Sequence, residues 1–246
     1  MRAILLAGGK GTRLQPFTAT FPKPLVPLDD TPVVELLVQQ LAWFGVDRLT
    51  VVTGHLAELI QAFLGKGERF GVKIDYFRET TPLDTAGCLG VIDRPKESFL
   101  VMNGDLLTTL DFSRLADFHR REKGAATIAT YRRQTKIDLG VLEFDPQGTL
   151  TDYIEKPTYD FLVSMGVYCF EPRVCDFVTP GERLPMPELI LRLRDAGEKV
   201  VGFREECYWL DIGRPDDYGR ASEDFRNDRS KFLPHLSAAA KFKKAA

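Results

Sequence analysis

The run Ile4-Leu5-Leu6-Ala7-Gly8-Gly9-Lys10-Gly11-Thr12-Arg13 decides the fold. Four apolar residues ending in two glycines read as a buried strand that passes straight into a loop. Working outward, Thr31-Pro32 is predicted to open a helix, with Thr31 as N-cap and Pro32 at the first helical position. Val33, Leu36, Leu37, Leu41 and Phe44 then recur at helical spacing, and Gly45 stops the run. Residues 49–53 read as a second strand, 56–64 as a second helix ended by Gly65, 72–77 as a third strand and 99–102 as a fourth. This strand–helix alternation predicts a mostly parallel sheet with helices on both faces.

The rhythm changes after about residue 124. Residues 126–131, 140–144, 150–154, 163–170 and 200–203 read as strands, and 185–196 and 216–225 as helices. The second half is thus richer in β structure and less regular, a lobe built onto the same sheet. The segment 238–246 is low in complexity and is expected to be a disordered tail. Residues 1–237 are left as one unit, with no internal repeat.

Composition narrows the classes. The chain has 246 residues and a formal charge of -2, from 33 Lys+Arg against 35 Asp+Glu. That balance gives no case for a nucleic-acid partner. An anionic ligand must be met by local positive charge. No apolar stretch approaches the ~20 residues that span a bilayer. The N-terminus lacks a signal peptide's longer apolar core, so a cytoplasmic location without a membrane partner is expected. Cys88, Cys169, Cys175 and Cys207 show no metal-ligand spacing and read as reduced, mostly buried residues.

The glycine loop lets backbone N–H groups approach a phosphate closely. It is not a Walker A loop, and Leu14 stands where a dinucleotide fingerprint needs its third glycine. An ordinary strand-to-helix turn explains Gly8 and Gly9 alone. It does not explain Lys10, Arg13 and Lys23 in one loop. Pro22, Pro24 and Pro27 restrict the backbone around Lys23, which suits a cation that must be held in place. Arg13 and Lys23 read as clamps on a polyphosphate.

The block Gly8-Gly9-Lys10-Gly11-Thr12-Arg13-Leu14-x-Pro16-x-Thr18, followed by Pro22-Lys23-Pro24, closely resembles the signature of the sugar-1-phosphate nucleotidylyltransferases. Further blocks follow in the family's order, so the resemblance covers nearly the whole chain, and its flavour is that of short mannose-1-phosphate guanylyltransferase-like members. It implies a Rossmann-like α/β fold with a mixed, mostly parallel sheet and a β-richer acceptor-binding lobe. The reaction implied joins an NTP and a sugar 1-phosphate into an NDP-sugar with release of pyrophosphate, GTP with mannose 1-phosphate or a related sugar phosphate being the first expectation.

The same resemblance implies site residues. Arg13 and Lys23 take the catalytic roles. Leu6, Ala7, Gly8, Gly9, Gly11 and Thr12 are implied on the nucleotide through the glycine loop, and Gly104 is implied on the nucleotide as well. Glu79-Thr-Thr-Pro82-Leu83-Asp84-Thr85-Ala86-Gly87 is similar to the base-binding loop, with Glu79 and Thr85 on the nucleotide. Asp84 stands there in place of a usual glycine, which leaves the base open. The alternative is a helix N-terminus capped by Asp84 or Thr85. Asp105, in Asn103-Gly104-Asp105, and Asp211, in Trp209-Leu210-Asp211-Ile212-Gly213, are implied ligands of Mg²⁺. Gly140, Glu155, Lys156 and Ser164 are implied on the sugar phosphate. Without the family, Glu155-Lys156 is a solvated pair at a strand end. Trp209 reads as packing.

His55, His119 and His235 share no metal or triad spacing, and His119 reads as part of a solvated helix face. A glycosyltransferase is disfavoured because Leu106-Leu107 follows Asp105 where D-x-D is expected. A silent regulatory nucleotide-sugar-binding protein is disfavoured by the retention of Arg13, Lys23, Asp105 and Asp211. A uridylyltransferase for an amino-sugar or N-acetylmuramate 1-phosphate stays open, as does a homo-oligomer.

Overall fold

The computed structural model describes residues 1–233 apart from Lys10 and Pro16, and only the backbone of Phe17. Lys10, Pro16, His235 and the 238–246 tail therefore lie outside the described residues. The first half contains β1 (Arg2–Ala7), β2 (Pro27–Leu28), β3 (Thr31–Pro32), α1 (Val33–Trp43), β4 (Arg48–Thr53), α2 (Ala57–Leu64), β5 (Lys73–Arg78), α3 (Asp84–Gly87), β6 (Phe99–Asn103), β7 (Leu106–Thr108) and α4 (Phe112–Glu122). The second contains β8 (Ala126–Lys136), β9 (Val141–Phe144), β10 (Leu150–Ile154), β11 (Thr158–Phe170), α5 (Met186–Asp195), β12 (Val200–Arg204), β13 (Trp209–Asp211), α6 (Pro215–Asn227) and α7 (Arg229–Phe232).

Seven strands form one sheet in the order β12-β8-β11-β6-β1-β4-β5. β1 runs parallel to β4 and β6, β4 to β5, and β12 to β8. Only β11 runs against its neighbours, β6 and β8. The mixed, mostly parallel sheet expected from the sequence is thus what the chain forms. Alternation along β1 shows why both faces are covered: Ala3, Leu5 and Ala7 join a core with α1, while Ile4 joins a second core with Phe99, Val101 and Leu189.

One expected cap is corrected. Pro32 is extended (φ -58°, ψ 140°) and is itself the N-cap, so the helix starts at Val33. Thr31 instead pairs with Leu28 across a two-residue hairpin, and its hydroxyl donates to Asp30 Oδ1 at 2.7 Å. Gly45 does sit just past the helix end with φ 85°, where a left-handed residue closes the last turn.

A second correction concerns His119, which is buried rather than solvated. Phe112, Leu115, Ala116 and His119 are the buried residues of α4, one face at i, i+3, i+4 and i+7. Its Nδ1 shares a hydrogen with Thr127 Oγ1 at 2.7 Å, and Nε2 lies 3.2 Å from Glu171 Oε1. Burial pushes its pKa down from the ordinary 6.5. The other readings stand closer: all four cysteines are free, with Cys88 and Cys169 buried. Among the described residues no helix is long and apolar enough to cross a membrane.

The β-rich lobe exists; β8 and β11 run well beyond their expected lengths, whereas β9 and β10 keep close to theirs. β8 and β11 pair from Thr158↔Lys136 to Phe170↔Ala126, with an irregularity between Ser164 and Tyr168. β9 and β10 form a separate two-stranded hairpin. No residue from Thr130 to Ser164 is buried.

Candidate active site

The carboxyl ends of β1, β4, β5 and β6 point to one edge of the sheet, where α/β folds bind ligands. The glycine loop leaves that edge directly after β1. Gly11 has φ 62°, and a Cβ there would stand 3.0 Å from the Cβ of Lys23 and from Thr18. Its carbonyl accepts the Leu14 N–H at 2.9 Å and the buried Thr18 hydroxyl at 2.7 Å. Thr18, to which the sequence motif assigns no role, therefore fixes the loop's turn. Thr12 and Arg13 follow on an exposed 3₁₀ turn, Thr12–Leu14. Gly104 donates its N–H to Leu6 O at 2.8 Å, and a Cβ on Gly104 would meet that oxygen at 2.8 Å. Gly104 is thus brought against Leu6 and Ala7, and Gly8 and Gly9 follow directly along the chain.

Lys23 begins a 3₁₀ turn, Lys23–Leu25, between Pro22 and Pro24. Its side chain is buried and its ammonium donates to Asp105 Oδ2, while Asp211 Oδ1 lies 3.9 Å away. Backbone pairing sets the two carboxylates side by side. β7 pairs antiparallel with β13, with Leu106 opposite Asp211, and the Ile212 N–H donates to Asp105 O at 2.9 Å. Arg13 completes the group: a Cβ on Gly213 would lie 3.1 Å from Asp211 Oδ1 and 3.5 Å from Arg13 Cζ. Burial and the adjacent Asp105 push the Asp211 carboxyl above its ordinary pKa, opposed by Lys23 and Arg13. Asp217, which the sequence reading passed over, adds a smaller upward push.

The residues fit a divalent cation. Asp211 Oδ1 is buried and has no hydrogen-bond partner among the described residues, a costly state for a carboxylate oxygen unless a cation completes it. Among the described residues no group of three His, Cys, Asp or Glu side chains encloses an ion. Mg²⁺ tolerates this, because it is commonly held by one or two carboxylates together with substrate phosphates and water.

Beside the glycine loop stands Glu79. Its N–H donates to Thr53 O at 2.8 Å, and a Cβ on Gly8 would meet its Oε2 at 2.9 Å. Its Oε1 is buried without a hydrogen-bond partner among the described residues. Burial raises its pKa, a backbone hydrogen bond from Leu83 lowers it, and Asp84 raises it again. Asp84 has φ 64°, the left-handed geometry that a glycine adopts freely and Asp tolerates. The N-cap residue of α3 is Leu83, which has no side-chain cap to offer, so neither Asp84 nor Thr85 holds the expected N-cap position. Asp84 Oδ1 accepts the Thr85 N–H at 2.9 Å, and Oδ2 meets Arg183 at 3.3 Å. Thr85 Oγ1 accepts the Met186 N–H at 2.7 Å, at the start of α5.

The acceptor-side residues are more dispersed. Ser164 Oγ accepts the Gly166 N–H at 3.2 Å and hydrogen-bonds the Tyr168 hydroxyl at 3.0 Å. A Cβ on Gly166 would meet Asn103 Nδ2 at 2.5 Å, which ties this strand to the end of β6. Trp209 donates Nε1–H to Met165 O at 2.9 Å and packs on Tyr131, in keeping with a packing role. Glu155 and Lys156 are exposed and 3.8 Å apart, with no ion pair reaching the Lys23 group among the described residues. The space a side chain would need at Gly140 is filled by Tyr153, whose hydroxyl lies 2.5 Å from the Cβ position and donates to Glu155 Oε2 at 3.4 Å.

With this geometry in hand, comparison with known proteins is decisive for the family. The profile described as Nucleotidyl transferase matches residues 2–228. The chain belongs to the nucleotidyl transferase family. Within it, the chain is 34% identical over 241 residues to a UTP–glucose-1-phosphate uridylyltransferase of Synechocystis sp., covering 90% of this chain and 62% of that protein. It is 32% identical over 257 residues to a mannose-1-phosphate guanylyltransferase of Mycobacterium tuberculosis, covering 96% and 70%. The chain thus spans about two thirds of the length of these relatives. Among solved structures, HddC from Yersinia pseudotuberculosis superposes with a TM-score of 0.70 at 26% identity, covering 91% of this chain and 99% of that one. The family members matched differ in both base and sugar.

Proposed function

We propose that this protein transfers a nucleoside monophosphate from an NTP to a sugar 1-phosphate, giving an NDP-sugar and pyrophosphate. The observation that carries the reading is Lys23 standing between Asp105 and Asp211 beside the glycine loop, with Asp211 Oδ1 buried and without a hydrogen bond among the described residues. A phosphate oxygen of the acceptor attacks the α-phosphorus in line, and the bond from that phosphorus to the bridging β-phosphate oxygen breaks. A phosphate monoester is largely dianionic at neutral pH, so no side-chain base is needed. The obstacle is repulsion between two anions, which a site overcomes by positioning and neutralising charge. Arg13 and Lys23 neutralise the triphosphate, backbone N–H groups of Gly8, Gly9, Gly11 and Thr12 cradle it, and Lys156 meets the acceptor phosphate. Asp105 and Asp211 would hold Mg²⁺, which supplies further neutralisation of phosphate charge.

For the base, the reading is guanine. Glu79 Oε1 is a buried acceptor without a donor among the described residues. Guanine offers an N1–H and an N2 amine side by side on one edge, which suits a carboxylate. Uracil offers one N–H flanked by two carbonyls that repel an ionised carboxylate. The uridylyl reading keeps one observation in its favour: burial raises the Glu79 pKa, and a neutral Glu79 donates to a uracil carbonyl. Mannose 1-phosphate or a related hexose or heptose phosphate is the acceptor proposed. Four NTPs assayed against a panel of sugar 1-phosphates, following pyrophosphate, test all of this. Pyrophosphate release with no pair above background removes the reading, and a preference for UTP, dTTP or CTP removes the guanine assignment alone.

A further inference from the structure

The amino ends of β1, β4 and β5 lie at the edge of the sheet opposite the glycine loop, and they carry cations in line. Arg2 of β1 stands in register with Arg48 of β4, and Arg48 with Lys73 of β5. Register partners present their side chains on one face of a sheet, here the face of Ile4 and its core. Like charges directly opposite one another cost stability, so a row of three calls for counter-charge. Within ion-pair distance the row meets one carboxylate among the described residues, Asp75. Its Oδ2 accepts from Arg48 Nε at 2.8 Å, and its Oδ1 lies 4.0 Å from Lys73. Arg2 has no ion pair among the described residues. Its Nη2 donates to the buried Thr50 hydroxyl at 3.1 Å, while its Nε is buried without a hydrogen bond among the described residues, a costly state for a guanidinium. Burial and the neighbouring Arg48 hold the Arg2 pKa below its ordinary value, against the pull of Asp93 and Asp75.

The row lines a cavity of about 760 Å³, together with residues 93–98, the segment that leads into β6. Small-molecule sites run to ~300–1,000 Å³. Of the other cations there, the Met1 amino group is held by Asp47 and Arg94 by Asp176. Lys96 has no ion pair among the described residues. Arg2, Arg48, Lys73 and Lys96 thus offer more donors than Asp75 can take. A phosphate dianion supplies the counter-charge, and its oxygens match the fork of a guanidinium. Asp93 and Glu97 line the same cavity and make no ion pair among the described residues. They repel a bare polyanion but accept hydrogen bonds from hydroxyl groups. One phosphate on a small hydroxylated carrier satisfies both sets of charges. A nucleic acid or an anionic membrane, dense in phosphate, satisfies only the first.

We propose that this cavity is a second ligand site, for a sugar phosphate, with Arg2, Arg48 and Lys73 on the phosphate and Asp93 and Glu97 on the hydroxyl groups. It is separate from the glycine loop, because Arg2 and Ala7 are the two ends of the six-residue β1, ~16 Å apart. Calorimetric titration at low salt with glucose 6-phosphate, without Mg²⁺ or NTP, tests it. Saturable binding is expected, at least threefold tighter than that of inorganic phosphate. The Lys23→Met/Lys156→Met protein, which lacks cations of the proposed catalytic site, is expected to keep it. In that background Arg2→Gln, which can still bond Thr50, is expected to weaken binding at least tenfold. Lys96→Glu, on an exposed residue of the cavity, is the second variant should Arg2→Gln unfold, and it is expected to weaken binding several-fold. No saturable binding up to about 10 mM overturns the proposal. So does binding lost in Lys23→Met/Lys156→Met, or left unchanged by both Arg2→Gln and Lys96→Glu. Equal affinity for inorganic phosphate and glucose 6-phosphate overturns the roles given to Asp93 and Glu97.

Discussion

Lys23 Nζ lies 3.9 Å from Asp211 Oδ1 while the same ammonium donates to Asp105. One fixed cation thus stands between the two carboxylates on which a divalent ion would be held. Charge of the same sign in the same place means that lysine and metal compete for the free protein. In the proposed reaction the phosphates of the nucleotide would relieve the competition by drawing the ammonium onto themselves. Mn²⁺ titrated by electron paramagnetic resonance, without nucleotide, is expected to bind Lys23→Met about tenfold or more tightly than wild type. Turnover by the same variant is expected to fall at least 100-fold, because the triphosphate loses its clamp. Equal Mn²⁺ affinity in the two proteins removes the competition.

Asp211 carries a related cost. Its Oδ1 is buried without a hydrogen bond among the described residues, and its carboxyl is pushed above the ordinary range by burial and by Asp105. A residue in that state serves the site at the expense of the fold. Asp211→Asn keeps the shape and removes one of two like charges. Its activity is expected to drop by about three orders of magnitude, with thermal unfolding unchanged or raised. Scanning calorimetry beside a pyrophosphate assay checks both. A clear loss of stability shows that the carboxylate is held better than its burial suggests.

These sites differ in how far the sequence disclosed them. The parallel half was legible because its strands are short apolar runs between glycine and helix signals, and both faces of the sheet are covered. The grouping of Lys23, Asp105 and Asp211 came from family blocks; no periodicity brings residue 23 to residue 211. It depends on β7 pairing with β13, two three-residue strands too short to show a pattern. The neighbours of His119 hide its burial: Asp117, Arg120 and Arg121 are polar, yet the i, i+3, i+4, i+7 face from Phe112 runs through His119. The task of Thr18 is not legible in the sequence, since its hydroxyl's partner, the Gly11 carbonyl, is a backbone atom. Tyr153 over Gly140 was out of reach because the hairpin's register decides which side chain lies above the glycine.

Thr18 offers a test of loop positioning. Its hydroxyl is buried and donates to Gly11 O at 2.7 Å. Thr18→Val keeps the volume and leaves that carbonyl without the bond, an expected loss of about 1–2 kcal/mol in stability. The loop it holds carries the nucleotide's phosphates in the proposed reaction. The KM for NTP is therefore expected to rise several-fold while the KM for the sugar phosphate stays within twofold, and Thr18→Ser is expected to restore both. A uniform loss across both substrates assigns Thr18 to the fold alone.

Glu79→Gln separates the two readings of the base. Replacing the carboxylate by an amide removes a charge-assisted acceptor worth roughly 1.5–3 kcal/mol. The kcat/KM for GTP is expected to fall about 10- to 100-fold. UTP is expected to lose less or to gain, since an amide both donates and accepts. A larger loss for UTP than for GTP points to a neutral Glu79 donating to a carbonyl, and so to the uridylyl reading.

The buried His119 gives a pH dependence of stability that is independent of catalysis. Its folded-state pKa is held below the ordinary 6.5 by burial, against the upward pull of Glu171. In the window between the folded and unfolded values the unfolded chain binds more protons, so stability rises with pH there. The stabilising contribution is fully present above about 6.5 and is lost as pH falls below that toward the folded value. A single group contributes a slope of at most about 1.4 kcal/mol per pH unit. Urea midpoints for wild type are therefore expected to decline from pH 7 to pH 5.5 more steeply than those for His119→Gln. That substitution lowers stability at pH 7 by disturbing the contacts with Thr127 and Glu171, yet the amide it introduces does not titrate. Parallel curves for the two proteins place the acid sensitivity elsewhere in the chain.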